Sequence, residues 1–191
     1  LYASTLVRVQ PCDPAAHTLS LVAAVSLFNA VRDFAPSANL LIKWPNDLLL
    51  GGNKLAGILL ERQGDAVVVG IGANLVYAPQ LPDRVTTALS QIMPAPEPAM
   101  FCNALARTFA LCLHRWRYDG LGAIIADWLG RAHPVGTPLS TTGPDGGRVD
   151  GQFAGLTRDA MLNLRLPDGE TVVIHSGDIE IEGMRGHAAR N

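Results

Sequence analysis

Lysine is the scarcest charged residue in this 191-residue chain, with two copies against thirteen arginines. Charge as a whole is sparse, at 17% of residues, and almost balanced at a formal −2. That excludes the basic footprint of a nucleic-acid binder. Cysteine is just as thin. Cys12, Cys102 and Cys112 are odd in number and far apart, which argues against a disulfide framework or a zinc site and for a reducing cytoplasm. Cys112 lies in an apolar helical stretch and reads as core. No run reaches the roughly 18 uncharged apolar residues of a membrane span. The longest candidate, 19–30, is interrupted by Ser20, Ser26 and Asn29. A basic segment followed by an apolar core, the mark of a secretory signal, is missing from the start. The chain opens at Leu1 within what reads as a strand, so the expectation is a piece of something longer.

What remains is apolar. At 48% hydrophobic residues the chain is too rich for disorder. Its length suits one domain, or one domain with a small appendage. After a strand over 1–9, Asp13-Pro14 predicts an N-cap and first helical residue, with a helix running to Phe34 and stopped near Pro36. A short strand over 39–44 ends at Pro45, because the residue before proline is driven to extended geometry. Extended structure resumes over 47–50 and turns at Gly51-Gly52-Asn53. Two apolar strands, 54–62 and 66–75, flank Gln63-Gly64-Asp65 and predict a hairpin. Residues 76–98 hold five prolines and read as a loop with at most a short helix. Helices follow over 99–116 and 121–129, with Trp128 in the core. From about Val135 the pattern changes to five short alternating strands, 136–142, 148–156, 161–166, 171–175 and 178–182, with tight turns between them. That predicts a small barrel. The boundary falls near His133-Pro134, and the end of the chain reads as a frayed tail.

The hairpin holds the most informative residues. With Gly64 at the centre of a three-residue turn, Lys54 pairs with Asn74, Ala56 with Gly72, and Ile58 with Gly70. In that register Lys54, Ala56, Ile58 and Leu60 share one face, and Val68, Gly70, Gly72 and Asn74 of the partner strand lie on that same face. The pair of strands then offers a floor nearly free of side chains, ending in an ammonium and a carboxamide. Glycine inside a strand often marks the close approach of a ligand. Two readings stand: a flat ligand lying on the floor, or a packed helix accommodated by the glycines with Lys54 reaching water. Lys43 ends an apolar strand nearby, is fixed by Pro45, and has Asn46 and Asp47 beside it. Two lysines converging on the floor with Asn74, next to a carboxylate, suit negative charge at a phosphoryl centre. Asn46 and Asp47 also fit a surface turn.

Three motifs then occur in order: Lys43-Trp44-Pro45-Asn46-Asp47, Lys54-Leu55-Ala56-Gly57-Ile58-Leu59-Leu60-Glu61 and Gly70-Ile71-Gly72-Ala73-Asn74-Leu75. Together they resemble the biotin protein ligases, and the likeness covers nearly the whole chain. The resemblance implies an α/β (α+β) fold: a mixed-sheet, class II synthetase-like catalytic domain over 1–133, an SH3-like barrel over 134–183, and a tail over 184–191. Phe153-Ala154-Gly155-Leu156 and Gly177-Asp178-Ile179 sit where the family's barrel has similar segments. By the same likeness, Lys54 contacts biotin and its activated carboxylate, and Gly57, Ile58, Gly70 and Gly72 line biotin. Lys43 lies by the transferring phosphate, Asn46 and Asn74 by the nucleotide, and Asp47 in the metal region. Lys43, Lys54 and Asp47 are the implied catalytic residues.

The activity implied is ATP- and Mg2+-dependent conversion of biotin to biotinyl-5′-adenylate, then transfer to a lysine of the biotin carboxyl carrier domain of acetyl-CoA carboxylase. A homodimer formed by pairing sheet edges is compatible with the family. The family's glycine- and arginine-rich biotin loop and its serine/threonine segment lie upstream of the strand that Leu1 begins, and are not in these residues. Weak or no ligase activity is therefore expected of this chain alone. The DNA-binding helix-turn-helix of some members is likewise not in these residues. Two alternatives stay open: a lipoate-ligase-like acyl-adenylate enzyme, and a non-catalytic biotin- or adenylate-binding relative.

Overall fold

In the computed structural model, which describes residues 1–82, 84–143 and 146–181, the strands fall into two five-stranded sheets. The first holds β1 (Tyr2–Arg8), β2 (Leu40–Lys43), β3 (Asp47–Leu50), β4 (Asn53–Gln63) and β5 (Ala66–Ala73), in the order β1-β5-β4-β3-β2. Each of its ladders is antiparallel, which corrects the expected mixed sheet. The physical reason is connection length: β2 to β5 are joined by tight turns, whereas a parallel crossover takes a dozen or more residues. Parallel contact among the described residues is confined to two isolated bridges, Ile42 to Ala132 and Lys54 to Thr86.

Three helices, α1 (Leu19–Phe34), α2 (Pro98–Tyr118) and α3 (Leu121–Leu129), cover one face of this sheet. Helix α1 packs on β2 to β5 and is itself covered by α2 and α3. It carries no charged side chain from Leu19 to Val31, and most of that stretch is buried, as expected of a helix apolar all round. Its buried hydroxyl is satisfied locally. Ser26 Oγ donates to the Val22 carbonyl at 2.6 Å, while the Thr108 hydroxyl donates to the Ser26 carbonyl at 2.9 Å.

The helix starts later than Asp13-Pro14 predicted. A 3-10 turn at Ala16–Thr18 comes first, and Asp13 is committed elsewhere. Its carboxylate accepts from the Gln10 amide at 2.9 Å and pairs with Arg117 at 3.2 Å, and no side chain caps α1. Thr18 Oγ1 instead accepts from the buried Trp116 indole at 2.8 Å, tying α1 to α2. Cys112 and Trp128 are buried, as their sequence setting predicts. No described helix is long and apolar enough to cross a membrane.

The second sheet holds β6 (Pro138–Thr142), β7 (Arg148–Leu156), β8 (Leu162–Arg165), β9 (Thr171–Ile174) and β10 (Ile179–Ile181), in the order β10-β6-β7-β8-β9. These are the five short strands the sequence predicts. Residues 144–145, the end of the predicted barrel at 182–183 and the tail over 184–191 lie outside the described residues. Leu139, Phe153, Leu162, Leu164 and Ile179 form the buried side of this sheet. Phe153 meets Trp128 of α3 at 6.4 Å between ring centroids and His133 edge-on at 4.4 Å. Contact with the first sheet is also polar. The Trp44 indole donates to the Ala160 carbonyl at 3.3 Å.

His133 is 2% exposed, and neither ring nitrogen has a partner among the described residues. Burial, helped by the nearby Lys43 charge, lowers its pKa to about 4. The native state therefore holds it neutral where the unfolded chain protonates it. Stability due to this site is present above the ordinary histidine value and is lost as pH falls from about 6.5 to about 4. The full loss is about 3 kcal/mol. Thermal melts across that window should show it, and His133→Phe should flatten the acid limb. An unchanged slope in the variant would show that His133 is not the group responsible.

Candidate active site

The β4–β5 hairpin closes through two residues, with Gln63 opposite Ala66 and Gly64 at φ +63°. Two-residue turns with left-handed positions match the twist of a hairpin better than the three-residue turn expected. Ala56 therefore pairs with Ala73, Gly57 with Gly72 and Leu59 with Gly70, one step from the predicted register. A one-residue slip exchanges faces. Ala56, Ile58, Val69, Ile71 and Ala73 are buried toward the helices, and Gly57, Gly70 and Gly72 share the opposite face. The glycine floor is thus richer than predicted; the Ile58 side chain turns to the core face, where it is 4% exposed, while the residue still lines the cleft.

Lys54 remains on the glycine face because β4 carries a bulge. Leu48 pairs with Ala56 and Leu49 with Lys54, leaving Leu55 extra. The extra residue resets the alternation and re-aims the side chain before it, as bulges near functional sites do. Lys54 Cε and Nζ lie 3.3 Å from where a Cβ on Gly57 would stand. One transverse row now crosses all five strands: Tyr2, Gly72, Gly57, Asp47, Lys43.

A cleft of about 700 Å³ lies over this floor, lined by Lys54, Gly57, Gly70, Gly72 and the two amides Asn46 and Asn74. The amides also strap the floor in place. Asn46 Nδ2 donates to the Ile58 carbonyl at 2.8 Å, and Asn74 Nδ2 donates to the Thr87 carbonyl at 3.0 Å. The loop after β5 grips Lys54 by its backbone, through Lys54 N to the Val85 carbonyl at 3.0 Å and Thr87 N to the Lys54 carbonyl at 2.9 Å. Tyr2 and Tyr77, both exposed, stand at the rim.

Charges alternate away from the cleft. Lys54 Nζ is 2.5 Å from Asp47 Oδ1, whose side chain is only 5% exposed. Arg84 reaches Asp47 at 3.9 Å and Asp178 at 3.3 Å, and Lys43 Nζ donates to Asp178 Oδ1 at 2.6 Å. Burial alone would raise the Asp178 pKa, but the Lys43 hydrogen bond and charge, with Arg84, hold it below the usual carboxylate range. Contrary to the expectation from sequence, Lys43 and Lys54 therefore do not converge on one floor. Only Lys54 lines the cleft, and Lys43 belongs to the adjoining ion cluster.

The sequence reading gives neither Arg84 nor Asp178 a place in the site, and meets Asp178 only within the barrel segment Gly177-Asp178-Ile179. One arginine among thirteen carries no signal, and Asp178 is remote in sequence from the motifs. No three metal-ligating side chains gather among the described residues. The Asp47 carboxylate, the candidate metal ligand, is engaged by Lys54 and Arg84.

Residues 3–74 match the biotin/lipoate A/B protein ligase family. The chain is 40% identical over 190 residues to the biotin–(acetyl-CoA-carboxylase) ligase of Paracoccus denitrificans, covering 90% of this chain and 77% of that protein. It is 32% identical over 164 residues to the ligase of the same name from Mycobacterium tuberculosis, covering 84% of this chain and 61% of that protein. Its fold resembles the biotin protein ligase from Aquifex aeolicus in complex with biotin and ATP, with a TM-score of 0.81 at 21% identity, over 97% of this chain and 78% of that one. The glycine floor, the bulged lysine and these similarities agree: the chain belongs to the biotin protein ligase family.

Proposed function

We propose that this chain binds biotin on the glycine floor, activates it with ATP to biotinyl-5′-adenylate, and passes the biotinyl group to a lysine of a biotin carboxyl carrier domain. The observation that carries the reading is the floor of Gly57, Gly70 and Gly72, flanked by Tyr2 and Leu59 and ending on an ammonium that Asp47 holds in place. A flat bicyclic ligand needs such a floor, and a carboxylate at its end needs a fixed cation. In the first step a biotin carboxylate oxygen attacks the α-phosphorus of ATP. A carboxyl–phosphate bond forms, the α–β phosphoanhydride bond breaks, and pyrophosphate leaves.

Lys54 orients the attacking carboxylate and offsets charge as it spreads over the phosphoryl oxygens. Lys43 supplies a second positive charge on the phosphate side, with Asn46 and Asn74 toward the nucleotide. Asp47 keeps the Lys54 ammonium aimed. In the second step the acceptor amine attacks the acyl carbon, an amide forms, and AMP leaves. Magnesium bound to ATP would offset part of the triphosphate charge. Residues 1–133 are the class II synthetase-like catalytic unit in this reading, and 134–183 its SH3-like barrel. Homodimerisation and a cytoplasmic location fit the same reading.

Calorimetry with biotinyl-5′-sulfamoyl-adenosine, a non-hydrolysable stand-in for the adenylate, should give saturable one-to-one binding. Absence of heat would overturn the proposal, and binding of the lipoyl analogue in its place would favour the lipoate branch. Lys54→Ala should weaken that binding about 10- to 100-fold, the worth of a charge-assisted hydrogen bond. It should also lower stability by about 1–3 kcal/mol, because Asp47 is left buried without its nearest cation. The view of Lys54 as an isolated exposed charge would instead leave the melting temperature unchanged. Gly57→Ala places a methyl 3.3 Å from the flexible end of Lys54, so about tenfold weaker binding with little change in melting is expected. Unchanged affinity would move the ligand off this floor.

A further inference from the structure

One member of the ion cluster comes from the second sheet. Asp178 sits just before β10, its side chain 52% exposed, while Lys43 closes β2 and Arg84 rides the loop after β5. Three segments distant in sequence thus meet at one carboxylate. Its two oxygens divide the cations: Oδ1 accepts from Lys43 at 2.6 Å and Oδ2 faces Arg84 at 3.3 Å. An ammonium and a guanidinium on one small anion is also the grip a phosphate would receive.

The two carboxylates of the cluster differ in what it costs to move them. Asp47 is almost wholly buried, and releasing it would strand a charge in the interior. Asp178 is half in water, where a carboxylate–cation pair contributes little and is readily exchanged. Its backbone is held independently, since Thr141 Oγ1 donates to the Asp178 carbonyl at 3.1 Å. The side chain can therefore swing away without moving β10. A triphosphate carries more negative charge than one carboxylate and would win the two cations.

Resting on the nucleotide chemistry proposed above, we infer that Asp178 is a displaceable counter-anion, holding Lys43 and Arg84 in place until the phosphates of the nucleotide replace it. It is a positioning residue, and through it the second sheet keeps two phosphate-binding cations ordered in the empty site. The cost is competition: only the fraction of molecules with Asp178 swung away binds nucleotide fully.

The test is the affinity of the wild-type chain and of Asp178→Asn for α,β-methylene-ATP at saturating biotin. The asparagine keeps the shape and the acceptor for the Ile179 amide, bonded at 2.9 Å, and removes the charge. Binding of the nucleotide should tighten about 2- to 5-fold while biotin affinity stays constant. A merely structural clamp predicts equal or weaker nucleotide binding, and that result in a folded variant overturns the inference. Should the variant not fold, the wild-type Ile179 amide decides. Its hydrogen exchange should quicken on adding α,β-methylene-ATP, and unchanged or slower exchange overturns the inference. Nucleotide binding absent from the wild-type chain would sink the ligase reading itself; normal binding with no difference in the variant sinks only the counter-anion.

Discussion

The contact between Lys54 and Asp47 is the constraint on which the cleft depends. Asp47 is a buried carboxylate, and a buried charge is tolerable only with a partner at hand. Lys54 supplies that partner because one extra residue in β4, Leu55, turns its side chain onto the face of Asp47 and Gly57. A Cβ at Gly57 would stand 3.3 Å from the lysine end, so the glycine leaves that end the room it occupies beside Asp47. The bulge, the glycine and the ion pair are thus one device. The loop after β5 completes it by hydrogen-bonding the Lys54 backbone through Val85 and Thr87.

The two faces of the first sheet divide the labour. One buries Ala56, Ile58, Val69 and Ile71 against α1, which is itself enclosed by α2 and α3. That apolar layer gives the sheet its rigidity and gives β4 and β5 their register. The other face is emptied of side chains at Gly57, Gly70 and Gly72, so a ligand there meets backbone held from behind by a packed core. A floor of this kind is useful only when it cannot flex. The buried helix behind it supplies the stiffness that the glycines lack.

Charge links this face to the second sheet. Lys54, Asp47, Arg84, Asp178 and Lys43 alternate in sign from the cleft to the turn before β10. The Trp44 indole bonded to Ala160, and His133 packed on Phe153, make the same junction through polar and aromatic contacts. A β-rich appendage that the sequence shows as separate by its strand pattern is therefore stitched to the segment that carries Lys43 and Asp47.

Much was legible before any coordinates. The hairpin was marked by turn residues between apolar runs, the second sheet by five short alternating strands, and the site by two lysines and interior glycines within three motifs. Those signals are local, and local chemistry fixes them. Which face each residue took was not local. The predicted register was one residue out because the hairpin turn is two residues long. The bulge at Leu55 left no mark that composition or spacing reveals. Arg84 and Asp178 stayed hidden because ion pairs between residues 94 apart in sequence carry no periodicity. The sequence by itself determined the elements, the glycine strands and the family. Tertiary structure alone decided that Lys54 faces the cleft while Lys43 faces Asp178, because pairing register and long-range charge are settled only when distant segments pack.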